Sequence, residues 1–483
     1  MTGVALDPRL PLMAAIARAR PAYAGLFAAG GRTLGAFIQD FARAELPAIQ
    51  GREDYIAQAE LQVRLAQGAP MAARVRARLE RSPLVFTANH LCMESMPLTV
   101  QSMLVASLGE DPGGALPVEA SGLVPADNQS FPAGLLLARR HQGKPLRVPL
   151  LDLSKRQRRQ MTLGLPPYGA EALAQAGHRV RDLAEAGLIG AGERGALDWA
   201  LEAVFGCPDV LDCQDFRTQA MTATPKLWAA WFAPEARAAV PPLAYLASES
   251  VRTPLLIDDL RNPDTPVNRL LFDPVLRDQV LRRLDGVPCC WSGFGRDSGS
   301  AFLWEITPER RTSPLWVDGD DLVTAAGRRI PLEPSALVDG LEAGTLVATT
   351  CLGLTLGLVR GLVQVGGFNQ VDYLGAIQRG LAAALAVAGY GPWAERLGTP
   401  LPAMLTAGFA PVAVAFADDA ATSAGGFELL AHGGLDLAEL ERIRALTLGE
   451  ALAMELPGIA RMVLGADPGP APHPPERLVL IRP

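Results

Sequence analysis

Leu84-Val85-Phe86-Thr87-Ala88 is a short apolar run closed by the polar pair Asn89-His90. A run of this length without alternation suits a strand covered on both faces. Ser95-Met96-Pro97 then opens a helical pattern that continues to Leu108. Ser95 is placed to cap that helix, and Pro97 is tolerated in its first turn, where the missing N–H had no helical partner. A buried strand that feeds a helix through a polar loop is the repeating unit of α/β folds. The same unit recurs late in the chain: Leu362-Val363-Gln364-Val365 reads as a strand and Gly366-Gly367 as a tight turn. Val371, Leu374, Ile377, Leu381 and Leu385 then share one face of an amphipathic helix.

Outward from these two units the texture varies. Between Leu10 and Ile49, and from Tyr55 to Leu79, alanine, leucine and arginine recur at helical spacing, broken at Gly30-Gly31 and Gly68-Ala69-Pro70. A proline-rich segment from Asp111 to Pro149 carries strand candidates at Gly134 to Ala138 and Leu146 to Leu151. Tyr168 to Ala238 reads as helical, with a break around Gly206-Cys207-Pro208, and Leu243 to Ala247 as a strand. Asp273 is placed to cap a helix that has Pro274 at its first position. Residues 287 to 333 are rich in hairpin signals: Val287 to Trp291 and Ala301 to Ile306 flank a glycine turn at 295–299, and further turns fall at Asp318-Gly319 and Ala326-Gly327. The uncharged stretch between Glu342 and Arg360 is too short to span a membrane and reads as buried strands of a core sheet.

The fold class expected is therefore α/β: a Rossmann-like, mostly parallel sheet with an N-terminal helical region and a large mixed α+β insertion. Residues 1–80 form the helical region, 81–150 and 341–464 the two halves of the core, and 151–340 the insertion or second domain. Residues 465–483 are a proline-rich linker and a C-terminal strand. At 483 residues the chain exceeds one hydrophobic core, and 49% apolar against 20% charged residues is the composition of a globular protein.

A net charge of −7, with acids and bases mixed along the chain, argues against nucleic acid as a partner. The densest basic run, Lys155-Arg156-Gln157-Arg158-Arg159, is more simply a solvated face than a phosphate contact. Cys92, Cys207, Cys213, Cys289, Cys290 and Cys351 form no C-x-x-C pair, and the few histidines lack zinc-ligand spacing. No metal site is expected. Reduced thiols, no signal peptide and no membrane partner together point to the cytoplasm.

Two strand–helix junctions carry candidate chemistry. In the first, Thr87, Asn89 and His90 end a strand and Glu94 follows. At the carboxyl edge of a parallel sheet His90 can bind an anion or transfer a proton, with Glu94 to orient it or act as base. The structural alternative has His90 satisfying buried carbonyls and Glu94 capping the helix, and Cys92 between them reads as a buried small residue. In the second, Gly366 and Gly367 allow a sharp turn and close approach of a ligand. Asn369 is placed as an N-cap with Asp372 completing a capping box. Gln370 and Tyr373 are not needed for capping and are the candidate binding residues. Trp291, Phe302 and Trp304 read as packing residues rather than an aromatic binding wall.

The strand ending in Gly366-Gly367, a polar residue and a helix containing Tyr373-Leu374 resembles the late glycine-rich motif of the bacillithiol-biosynthesis cysteine-adding enzymes. Thr87, Asn89 and His90, with Pro97 beyond, resemble that family's earlier Thr-Gly-Gln-Gln loop, with Ala88 at its glycine and Asn-His at its paired glutamines. The resemblance implies a nucleotidyl-transferase-like Rossmann core interrupted by an insertion. The expected function is a small-molecule ligase or transferase acting on a polar or anionic metabolite in a cleft between the junctions. His90 and Glu94 would be catalytic. Thr87, Asn89, Gly366, Gly367, Asn369, Gln370 and Tyr373 would bind. The residues identify no cofactor, a nucleotide being the candidate, and leave the oligomeric state open. The alternatives are a non-catalytic metabolite-binding protein and an interaction scaffold.

Overall fold

Four parallel strands organise the computed structural model, which describes residues 9–127, 135–141, 144–148, 153–292, 300–401, 406–415, 421–465 and 475–481. They are β1 (Leu84–His90), β2 (Leu116–Ser121), β3 (Leu243–Ala247) and β4 (Val363–Val365), in the spatial order β4-β1-β2-β3. The register aligns Leu84 with Val363, Phe86 with Val118 and Leu116 with Leu243. All of β3 and β4 is buried, as unalternated apolar strands demand. A register shift between Phe86 and Asn89 bends the carboxyl end of β1, the kind of irregularity that re-aims side chains beside a cleft.

Helices cover this sheet. Pro97–Ser107 packs on β1 and β2, and Phe216–Ala230 on β3. Ser248–Arg261 lies on β2 and β3 and against Glu53–Gln67 from the N-terminal region. A second, antiparallel sheet takes its strands in the order Leu346–Ala348, Leu303–Ile306, Thr312–Asp318, Asp321–Thr324 and Arg329–Pro331. A third contains Ala421–Ser423, Val412–Ala415 and Val479–Ile481, and Leu135–His141 pairs with Lys144–Val148 in a two-stranded ribbon. Among the described residues no helix is long and apolar enough to cross a membrane.

Several local expectations need correction. Between Glu342 and Arg360 only Leu346–Ala348 is a strand; Thr350–Val359 is a helix buried on every side. A segment apolar all round has no period, so strand and buried helix look alike in sequence. Val287 to Trp291 forms turns instead of a strand, with Cys289 at φ 64. Ser95 does not cap the following helix: Met96 stands at the cap position without a side-chain bond. Asn369 is likewise in helical conformation and makes no cap bond, so no capping box with Asp372 exists. Asp273 does cap its helix, accepting from Val275 and Leu276. The turn at 295–299 and most of the tract at 465–475 lie outside the described residues.

Candidate functional site

The carboxyl ends of β1, β2 and β3 open on a cavity of about 70 Å³. Its walls are Thr87 from β1, Glu119 and Ser121 from β2, the first turns of Ser248–Arg261, and the beginning of Thr350–Val359. β3 passes into its helix without a loop, which brings Ser248, Glu249 and Arg252 to the mouth. Two helix N-termini thus face one small space, each with backbone N–H groups that have no helical acceptor. Thr349 takes up one of them by accepting from the Leu352 N–H at 3.2 Å.

Glu119 is buried and fully engaged. It accepts from Arg252 Nε at 2.6 Å, from Ser248 Oγ at 2.9 Å and from the Tyr55 hydroxyl. Arg252 donates onward to the Gly353 carbonyl and to Gln364 Oε1 at 2.9 Å. Gln364 donates to the Leu354 carbonyl at 3.0 Å, and its own carbonyl accepts from Gln370 Nε2 at 2.5 Å. Thr87 Oγ1 closes the series, donating to Gln370 Oε1 at 3.2 Å. Polar side chains at this depth require partners, and the chain of bonds supplies them from five separate segments.

Glu249 stands apart from that network. It accepts from Ser121 Oγ at 2.9 Å and from the Gly122 N–H at 3.1 and 3.0 Å. Burial pushes its carboxyl above the ordinary value, while the Gly122 N–H and Ser121 hydroxyl pull the other way. A carboxyl of raised proton affinity, bonded to a hydroxyl and lining a cavity, is suited to proton transfer.

The two sequence junctions lie at the same edge, because β1 and β4 are parallel neighbours. Thr87 and Gln370 are brought into contact, and Thr87 lines the cavity. His90, Glu94, Asn369, Gln370 and Tyr373 do not line it. His90 is half-buried; its carbonyl accepts from the Tyr245 hydroxyl at 2.9 Å, its Nδ1 has no partner, and burial lowers its pKa. Glu94 is buried in the interior, where it accepts from the Cys92 thiol at 2.7 Å and its N–H donates to Thr224 at 3.4 Å.

The Asn89 side chain lies outside the described residues, although its backbone pairs with Ala120. Asn369 is exposed, and the Tyr373 hydroxyl meets the Cys289 thiol instead of the cavity. Gly366 leaves room for the Gln370 amide: a Cβ there would stand 2.1 Å from Gln370 Oε1 and would displace that side chain. Trp291 and Phe302 pack edge to face with centroids 5.7 Å apart, and Trp291 Nε1 donates to the Leu281 carbonyl, which accords with the packing reading.

Sequence reasoning missed Glu119, Ser121, Glu249 and Arg252. A signal was available at one of them: Ser248-Glu249-Ser250 follows the apolar run 243–247 as directly as Asn89-His90 follows 84–88. No protein-family model matches this chain, and no functionally curated protein matches it in sequence.

Proposed function

We propose that this protein is a ligase or transferase for a small polar or anionic metabolite, with Glu249 as its proton-transfer group. The observation that carries the reading is the Ser121–Glu249 pair at the mouth of the cavity, a hydroxyl that donates to a carboxyl whose proton affinity burial raises. Glu249 would take the proton from an attacking hydroxyl or amine, and the helix N-termini at Ser248 and Thr350 would offset negative charge developing on the acceptor. Ser121 would keep the carboxyl oriented. A Rossmann-like core fits this reading, since the order β4-β1-β2-β3 has the chain leave β1 on one side and return on the other. Ligands in open α/β sheets bind beyond the carboxyl ends of the strands, and the cavity lies at those of β1, β2 and β3. A nucleotide co-substrate, a relation to the cysteine-adding enzymes and a cytoplasmic setting belong to the same proposal, and six free thiols support the last.

A second reading, a non-catalytic metabolite-binding protein, is favoured by the saturation of Glu119 and Arg252 by each other. Thermal denaturation against a panel of amino acids, phosphorylated metabolites and nucleotides, with mass spectrometry of reaction mixtures, separates the two. A ligand at one hundred times its Kd stabilises by about 2.7 kcal/mol. Turnover that Glu249→Gln abolishes while ligand stabilisation persists supports the enzyme. Stabilisation without turnover supports the binding protein, and neither effect with any compound sinks both.

A further inference from the structure

The antiparallel sheet is a single excursion from the core. Its five strands and the helix Pro334–Glu342 all fall between Trp291 and Thr349 in sequence. The returning strand, Leu346–Ala348, passes through Thr349 into the helix Thr350–Val359. Val347, Ala348, Thr349 and Thr350 are cavity wall, so whatever fixes the root of the excursion also fixes that wall.

The root is drawn together around Phe302. Its carbonyl accepts from the Thr349 N–H at 2.9 Å, and its ring meets Trp291 edge to face with centroids 5.7 Å apart. Trp291 is held in turn: Nε1 donates to the Leu281 carbonyl at 3.0 Å, and its own carbonyl accepts from the Gly286 N–H at 2.8 Å. The outgoing and returning chains therefore meet at residues 291 and 349.

Cys290 immediately precedes Trp291, and Cys351 lies just beyond Thr349. Neither is in a disulfide; Cys290 is half-buried and Cys351 buried. The two thiols face each other: Cys351 is the largest influence on the protonation of Cys290, ahead of burial, and both raise its pKa. Cys289 is turned elsewhere. Its backbone is left-handed, φ 64, a conformation that L side chains seldom adopt. The twist sends adjacent thiols to different partners, Cys289 to Tyr373 and Cys290 to Cys351. Cys92, Cys207 and Cys213 donate to oxygen acceptors, the Glu94 carboxyl and the carbonyls of Val204 and Asp209.

We propose that Cys290 and Cys351 are a site of reversible oxidation, closed to a disulfide by a hydroperoxide and reopened by a thiol reductant. The half-buried Cys290 sulfur takes the terminal oxygen of the hydroperoxide: the O–O bond breaks, and the departing alcohol or water carries the thiol proton. The Cys351 sulfur then attacks the resulting sulfenic acid. The S–O bond breaks, the S–S bond forms, and the oxygen leaves as water with its own hydrogen and that of the Cys351 thiol. Two electrons pass from the sulfurs to the peroxide. The raised pKa keeps thiolate scarce at Cys290, so closure is slow and answers sustained oxidation. The bond staples the excursion at its root, closing a loop of about 60 residues in the unfolded chain, and ties the cavity wall at 347–350 to the turn before Trp291. It forms whether or not the cavity is catalytic.

The test incubates the full-length reduced protein with hydrogen peroxide, alkylates the remaining thiols and maps the peptides by mass spectrometry. A linked Cys290–Cys351 peptide is expected, two hydrogens lighter than its reduced parts, with alkylation lost at both cysteines together and restored by dithiothreitol. The oxidised protein is expected to melt at a higher temperature. Cys290→Ser should lose both the link and the thermal shift, whereas Cys289→Ser should keep both. If Cys290→Ser folds poorly, the peptide map of the native sequence decides alone. Oxidation that leaves both thiols open to alkylation overturns the proposal. So does oxidation that ends as a sulfinic acid on Cys290 with Cys351 unchanged, or that links Cys289 to Cys351 instead. An equal thermal shift in Cys290→Ser overturns it as well.

Discussion

A half-buried carboxyl beside a serine is the residue on which the proposed chemistry turns, and its titration is measurable without a substrate. Between the ordinary value of 4.5 and the raised value of Glu249, the folded protein binds more protons than the unfolded chain. Stability contributed by this group is therefore full below the ordinary value and is lost as pH rises through the raised one. Glu455 and Asp259, also raised by burial, add slopes of the same sign, so the comparison must be with a variant. Urea unfolding across a pH series should show Glu249→Gln gaining on the native protein as pH rises. A pH-independent difference would refute the assignment. His90 and Glu94 divide differently from their reading as a catalytic pair. Glu94→Ala removes the buried acceptor to which the Cys92 thiol donates and should cost about 1–3 kcal/mol. His90→Ala removes a ring whose Nδ1 has no partner, and should cost less by the same assay.

At the scale of elements, the helix Thr350–Val359 both walls the cavity and leans on β4. Its closeness to that strand depends on Gly357, where a Cβ would lie 2.6 Å from the Gln364 amide carbon. Alanine would favour the helix by about 1 kcal/mol in isolation. Here the collision with a fully bonded amide outweighs that gain, since overpacking typically costs about 1–3 kcal/mol. Gly357→Ala is expected to lower the urea midpoint, whereas Gly177→Ala, with nothing within 4 Å of its Cβ, should raise it or leave it unchanged. If both substitutions stabilise, the close packing of helix on strand is wrong. The element itself was not legible beforehand, because burial on all sides erases the period by which a helix announces itself.

For the whole molecule, the N-terminal helices are joined to the α/β core by buried polar bonds. Arg360, fully buried on the core side, donates to Asp54 at 2.9 Å and to Asp259 at 3.1 and 2.9 Å. Gln50 donates to Asp259 and Tyr55 to Glu119, so two further ties run from the same region, one to the helix Ser248–Arg261 and one to the sheet. Removing the cation leaves Asp259 buried without its compensating charge, and Arg360→Ala should destabilise by about 3–5 kcal/mol. Arg64→Ala, which breaks an exposed pair with Glu60, should cost under about 1 kcal/mol. A chain shortened to begin at Pro83 would expose these partners and is expected to be insoluble or unfolded by circular dichroism. A cooperative native-like melt from it would show that the helical region is an independent unit.

What the sequence determined by itself was local. Apolar runs without alternation at 84–88, 243–247 and 362–365 announced buried strands, and Asp273-Pro274 announced a capped helix, because these signals act within a few residues. That the two junctions share one edge of the sheet was also readable, since parallel neighbouring strands begin their helices on the same side, but the common cleft expected of residues 89–94 and 366–373 was not: only Thr87 of the expected residues lines the cavity. Tertiary structure alone decided which polar groups share the cavity. Glu119 sits in a strand that lacked a clear signal among prolines, and Arg252 lies one helical turn inside a helix. Neither type nor spacing marks them. They become a site because five segments converge on them, and burial then obliges every polar atom there to find a partner that no local pattern encodes.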